Sequence, residues 1–107
     1  MNTEAIRAAA LTLEAEVRKA EAAGYRNADC VLTPEVRKLL PLAKAGTLTR
    51  PVWLKFTAGP ARNFSETRLG ECRALEEAWA KFRAAVEDWD SNPAYRALKE
   101  ILNEDRH

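Results

Sequence analysis

The sequence predicts an all-α protein, a small bundle of about four helices with one irregular or short extended segment near residues 50–60. Alanine, leucine, glutamate, arginine and lysine dominate its 107 residues, and all five favour helix. Two long stretches also repeat apolar residues at alternating spacings of three and four, as the buried face of a helix requires. This length is near the commonest domain size, so residues 1–107 are expected to form a single helical domain.

The first helix is expected over roughly residues 4–23. Thr3 is placed to cap its start and Gly24 to follow its end, because such residues commonly flank helices. Alanine fills much of the apolar stripe, so we expect a helix with bulky side chains to pack against it. The stripe consists of Ile6, Ala10, Leu13, Val17 and Ala20.

The second helix should begin at Thr33-Pro34-Glu35, which combines a capping hydroxyl, a first-turn proline and an acid. Pro41 lies too deep in this helix to be a first-turn residue, so a kink or a break is expected just before it. Gly46 is expected to end the element.

Residues 52–57 have the composition of a β-strand and are bracketed by Pro51 and Gly59-Pro60. Because no second strand is predicted, three interpretations stay open: an extended arm lying on the helices, half of a strand pair completed in an oligomer, or a short helix. In a strand, one face would carry Val52, Leu54 and Phe56, and the other Trp53 and Lys55.

The longest helix is expected over roughly residues 64–89, opened by Asn63 and Glu66 at capping-box spacing. Gly70 near its start indicates a late start, a kink or a close approach to another element. The periodic apolar residues are Cys72, Leu75, Trp79, Phe82, Val86 and Trp89. A last helix should follow Pro93, with an apolar face of Tyr95, Leu98, Ile101 and Leu102.

No set of residues indicates catalysis. The only histidine is His107, the last residue, where no neighbour can orient it as a general base. Cys30 and Cys72 are too far apart in sequence for a metal knuckle or a redox pair, and no base is identifiable beside either thiol. We therefore expect a non-enzymatic protein without cofactor or metal.

The sequence also predicts a cytoplasmic protein that does not enter a membrane. The first 16 residues include three glutamates and lack the basic and apolar regions of a secretory signal. No uncharged apolar stretch approaches the roughly 18 residues of a membrane-spanning helix. Two cysteines in such a chain are expected to stay reduced.

The charge is distributed in blocks, although the net charge is only +1. Residues 36–70 contain seven basic residues and a single acid, Glu66. Aromatic residues are interleaved with these bases, which suits contacts with a macromolecule. The candidate binding residues of this basic-aromatic segment, residues 36–68, are Arg37, Lys38, Lys44, Arg50, Trp53, Lys55, Arg62 and Arg68.

An alternative interpretation makes the aromatic residues core and the charges an ordinary solvated face. Trp79 is expected in the core because it is central in the longest stripe, whereas Trp89 suits core and interface equally. Trp53 is expected to be partly exposed and to resemble the anchor of a binding hot spot.

The leading functional hypothesis is a small binding or inhibitory protein, a regulator, antidote or phage-type inhibitor of host machinery, that occupies a surface on a larger macromolecule, most often a protein. The second is a nucleic-acid-binding protein, with single strands preferred, that uses residues 36–68. The third is a structural subunit whose apolar stripes complete a homodimer or a larger helical assembly.

Overall fold

A computed structural model describes residues 1–89 together with Ala97 and Ile101, and it confirms the predicted all-α fold. Helices make up 73% of these residues, which include no β-strand. The α-helices are α1 (Thr3–Ala22), α2 (Pro34–Ala45), α3 (Ala58–Glu66) and α4 (Arg73–Val86). Short 3₁₀ helices cover Ala28–Val31 and Arg68–Glu71.

Helix α1 follows the prediction except at its cap. Asn2, not Thr3, is the N-cap, and its side-chain oxygen accepts a hydrogen bond from the Ala5 N–H at 3.0 Å. Gly24 follows the helix with φ +87°, a left-handed conformation that favours glycine. All five residues of the predicted apolar stripe are buried.

Helix α2 begins where the sequence predicted, with the Thr33 hydroxyl accepting from the Val36 N–H at 3.4 Å. Of the kink or break expected before Pro41, the break is absent, since the helix continues to Ala45. Pro41 lies on the exposed side, while the opposite side buries its apolar residues in the core and stabilises the helix. Gly46 ends the helix with φ +73°.

The prediction of a single long helix over residues 64–89 is wrong. Helix α3 begins earlier, at Ala58, and a 3₁₀ turn separates it from α4. Asn63 lies inside α3, where its amide donates to the Gly59 carbonyl at 3.0 Å and caps nothing. A Cβ added at Gly70 would collide with the carbonyl oxygen of Phe64, so this glycine marks the close approach that the sequence left open.

The core lies mainly between α1 and α4, which pack against each other more extensively than any other pair of elements. Trp79 is buried, as predicted, and its ring centroid lies 5.7 Å from that of Phe64 in α3. The alanines of α1 thus face a helix with large side chains, as expected from packing density. The predicted last helix lies outside the described residues, apart from Ala97 and Ile101.

Candidate binding surface

Residues 47–57, which we call the arm, connect α2 to α3 without regular secondary structure. The Val52 N–H donates to the carbonyl of Val86, near the end of α4, at 2.8 Å. This bond supports the first of the three interpretations, an arm lying on the helices, and the third is wrong, because residues 47–57 contain no helix.

The carboxylate of Glu87 holds the middle of the arm. Glu87 is 2% exposed, and its Oε2 accepts a hydrogen bond from the Leu54 N–H at 3.0 Å. The other oxygen accepts from the indole N–H of Trp89. The Nε atom of Arg83 lies 3.5 Å from Oε2, which places a positive charge beside this buried carboxylate. Several donors around a buried carboxylate offset the free-energy cost of removing its charge from water.

Arg83 also links the two tryptophans at this end of α4. Its guanidinium carbon lies 5.5 Å from the centroid of the Trp79 ring and 5.6 Å from that of Trp89. Both distances are within the range of cation–π attraction. Trp89 is half-buried, so the structure gives it a packing role and leaves part of its surface accessible.

A second carboxylate, that of Glu35, holds the end of the arm. It accepts hydrogen bonds from the N–H groups of Lys55 and Phe56, at 3.0 and 2.7 Å. Glu35 belongs to the first turn of α2, so the start of that helix is tied to the chain entering α3. Charge-assisted bonds of this kind are stronger than bonds between neutral groups.

The outer side of the arm displays two large aromatic side chains. Trp53 is 57% exposed, which confirms the prediction, and Phe56 is 63% exposed. Sequence alternation had placed Phe56 with Val52 and Leu54, but the strand-like pattern ends before it. The reason is that two consecutive N–H groups, at residues 55 and 56, bind the same carboxylate, which an alternating strand does not allow.

A groove adjoins Phe56, between the arm and the start of α3. Its volume is about 340 Å³. The helix beside it has no side-chain cap and no acidic residue in its first turn. The lining residues are Cys30, Thr33, Lys55, Phe56, Ala58, Gly59, Pro60 and Asn63.

All seven predicted basic residues are exposed, and they are divided among α2, the arm, α3 and the second 3₁₀ helix. Three of them interact within the chain: Lys44 pairs with Glu14 at 3.1 Å and Arg68 with Glu71 at 3.8 Å, while Arg37 donates to a backbone carbonyl. The other four have no carboxylate at ion-pair distance within residues 1–89; they are Lys38, Arg50, Lys55 and Arg62.

The two cysteines are unpaired, and both are partly buried. Cys30 lines the groove, and burial, followed by the negative charge of Asp29, raises the pKa of its thiol above the ordinary value. A raised pKa lowers the thiolate fraction and with it the nucleophilicity of this thiol. Cys72 lies between the second 3₁₀ helix and α4, and it packs against the core.

Within residues 1–89, no three histidine, cysteine, aspartate or glutamate side chains converge in a way that could hold a metal ion. None of the described helices is both long enough and apolar enough to cross a membrane. The chain matches no protein-family model, no curated protein and no solved structure.

The surface is thus partly what the sequence indicated. Reasoning from the sequence found the exposed Trp53 and the bases beside it, but it missed Glu35 and Glu87, which fix the arm. The sequence indicated only that Glu35 belongs to the start of a helix. The contacts of these carboxylates with the arm span 20 and 33 residues and leave no local pattern.

Proposed function

We propose that this protein is a small, non-enzymatic binding or inhibitory protein that occupies a surface on a larger protein through its arm. The observation that supports this most strongly is the exposure of Trp53 and Phe56 on a backbone fixed by two carboxylates. Tryptophan is enriched among the residues that dominate binding energy at protein interfaces.

The fixed backbone adds to the argument, because a surface already held in place loses less conformational entropy on binding. Leu54, Lys55 and Phe56 all donate their N–H groups to buried or half-buried carboxylates. Trp53 and Phe56 therefore extend from a backbone whose conformation is constrained by these bonds.

A protein partner is favoured over nucleic acid by the distribution of charge. Three of the seven bases are engaged within the chain, which leaves four to contact a phosphate backbone, fewer than the roughly 6–10 phosphate contacts of a strongly salt-dependent complex. The surface beside Phe56 is instead a groove of a size that receives side chains. With two unpaired cysteines, the chain also suits the reducing cytoplasm, which we propose as its location.

The test is capture of partners from lysate of the source cells by the wild-type protein and by the double variant Trp53→Ala/Phe56→Ala. The matched control is Leu11→Ala/Leu42→Ala, which removes two other exposed apolar side chains, 50% and 46% exposed. We expect a protein that is retained by the wild type and the control but lost with the arm variant. Circular dichroism should show that both variants remain folded.

Binding of labelled single-stranded and duplex oligonucleotides over a salt series distinguishes the second class of partner. Nucleic-acid binding through this surface should fall steeply with salt, and it should weaken in Trp53→Ala because stacking is worth about 1–3 kcal/mol per base. Both results together would replace the protein-binding proposal. A homodimer in light scattering that dissociates in the arm variant would assign the surface to a second copy of the chain.

A further inference from the structure

We propose that the groove beside Phe56 receives an apolar side chain from an acidic segment of the partner protein. The inference rests on the proposed function, since it names the chemistry of the segment that the arm would contact. Two properties of the described residues carry it: the sign of the charge on the arm, and the shape and lining of the groove.

The charge of the arm and of the start of α3 has one sign. Residues 46–65 include three bases, Arg50, Lys55 and Arg62, and no acid. All three are exposed and have no carboxylate at ion-pair distance within residues 1–89. A partner with acidic residues complements this surface, and complementary charge accelerates association and excludes basic competitors.

The two acids that touch the arm leave the net charge of this region positive, because Arg83 compensates Glu87 and Glu35 adds one negative charge against three positive ones. Glu87 is buried beneath Leu54, and both of its oxygens have partners within the chain. Glu35 is half-buried, and each of its oxygens accepts a backbone N–H of the arm. Both carboxylates are thus bound to the backbone of the arm, while Arg50, Lys55 and Arg62 are exposed to solvent.

The groove supplies the apolar contact. Its volume of about 340 Å³ is at the lower end of the roughly 300–1,000 Å³ of small-molecule sites, which suits one or two side chains. Phe56, Ala58 and Pro60 give it an apolar wall, and Lys55 lies at the same site. An aliphatic or aromatic side chain would contact Phe56 there while a neighbouring acid contacts Lys55.

Two exposed acids near this region limit where the acidic residues of the partner can lie. Asp29 adjoins Cys30 in the groove lining, and Glu66 follows Asn63 by three residues along α3. Like charges there would repel an acidic segment. The acidic residues of the segment are therefore expected to lie on the side of Lys55.

The test uses a phage-displayed library of random peptides, selected on the folded full-length protein. Enriched peptides are then measured against Phe56→Ala, Lys55→Glu and the control Arg7→Glu, an equal charge reversal at an exposed position of α1. We expect net acidic peptides with an apolar residue, whose affinity falls about tenfold or more in the two groove variants but not in the control.

Enriched peptides that are neutral or basic, or that bind Phe56→Ala as tightly as the wild type, would overturn this inference, as would a library without any enriched peptide. Peptides that lose affinity in Trp53→Ala and Phe56→Ala but lack acids would overturn it and leave the proposed binding function standing. Peptides that depend on neither aromatic residue would count against both.

Discussion

Glu87, almost fully buried at the end of α4, accepts the backbone N–H of Leu54 at 3.0 Å, across 33 residues of sequence. The bond connects the end of α4 to a segment without regular secondary structure. The same carboxylate also accepts the Trp89 indole N–H and pairs with Arg83. The Glu87 side chain therefore stabilises both the arm and the positions of Arg83 and Trp89.

Replacement of this carboxylate should be costly. Glu87→Ala removes the acceptor of two N–H groups and the partner of Arg83, and buried groups left without partners are strongly destabilising. We expect a loss of about 3 kcal/mol in the free energy of unfolding, measured by urea denaturation. The matched control is Glu77→Ala, on the exposed side of the same helix, which should change stability by less than about 0.5 kcal/mol. Equal losses in the two variants would refute the assigned role of Glu87.

Glu35→Ala should release the end of the arm without unfolding the protein. The N–H groups of Lys55 and Phe56 lose their acceptor, while the core between α1 and α4 is untouched. Amide hydrogen exchange at residues 55 and 56, followed by NMR, should accelerate, and global stability should fall by only about 1 kcal/mol. Unchanged exchange at both amides would show that the carboxylate does not hold this part of the chain.

Among the tryptophan-to-alanine variants, Trp79→Ala should be the most destabilising. Trp79 is buried and packs on Phe64, so its removal leaves a cavity and should cost about 3–5 kcal/mol. Trp53 is exposed, and Trp53→Ala should cost less than about 0.5 kcal/mol. Chemical denaturation compares them. A loss in Trp53→Ala as large as that in Trp79→Ala would mean that Trp53 belongs to the core.

Two glycine-to-alanine changes should differ in their effect on stability. Gly70→Ala places a methyl group against the Phe64 carbonyl and forces a backbone shift, with an expected loss of about 1–3 kcal/mol. Gly59→Ala should change stability by less than about 1 kcal/mol, because an added Cβ there meets no atom within 4 Å beyond the adjacent residues, and the higher helix propensity of alanine is opposed by the steric restriction that Pro60 places on the residue before it. Thermal unfolding measures both. Stabilisation by Gly70→Ala would contradict the close approach of this turn to α3.

The elements that the sequence predicted well are those with local signals at both ends. Helix α2 has Thr33 at its start and Gly46 at its end, and both act as expected. Helix α3 was missed because Gly59-Pro60 was interpreted as a bracket of the preceding segment. A proline at the third position of a helix lacks only an N–H that has no partner within the helix, so it is compatible with a helix start.

The periodic stripe predicted α4 but not its beginning. Leu75, Trp79, Phe82 and Val86 are buried as expected, yet periodicity cannot show that the chain turns sharply at Gly70 to pass the backbone of Phe64. The sequence likewise predicted one part of the candidate surface and missed another. Composition predicted an exposed Trp53 beside bases, whereas the exposure of Phe56 depends on Glu35, a contact that spans 21 residues.

The central claim, that the arm binds a protein, is tested most directly by site-specific photo-crosslinking in the source cells. A photoreactive benzoylphenylalanine replaces Phe56 in one variant and Leu11, an exposed apolar residue of α1, in the control. The proposal predicts a discrete protein adduct from position 56 that is absent from position 11. A nucleic-acid adduct at position 56, the same adduct from both positions, or no adduct at position 56 would contradict it.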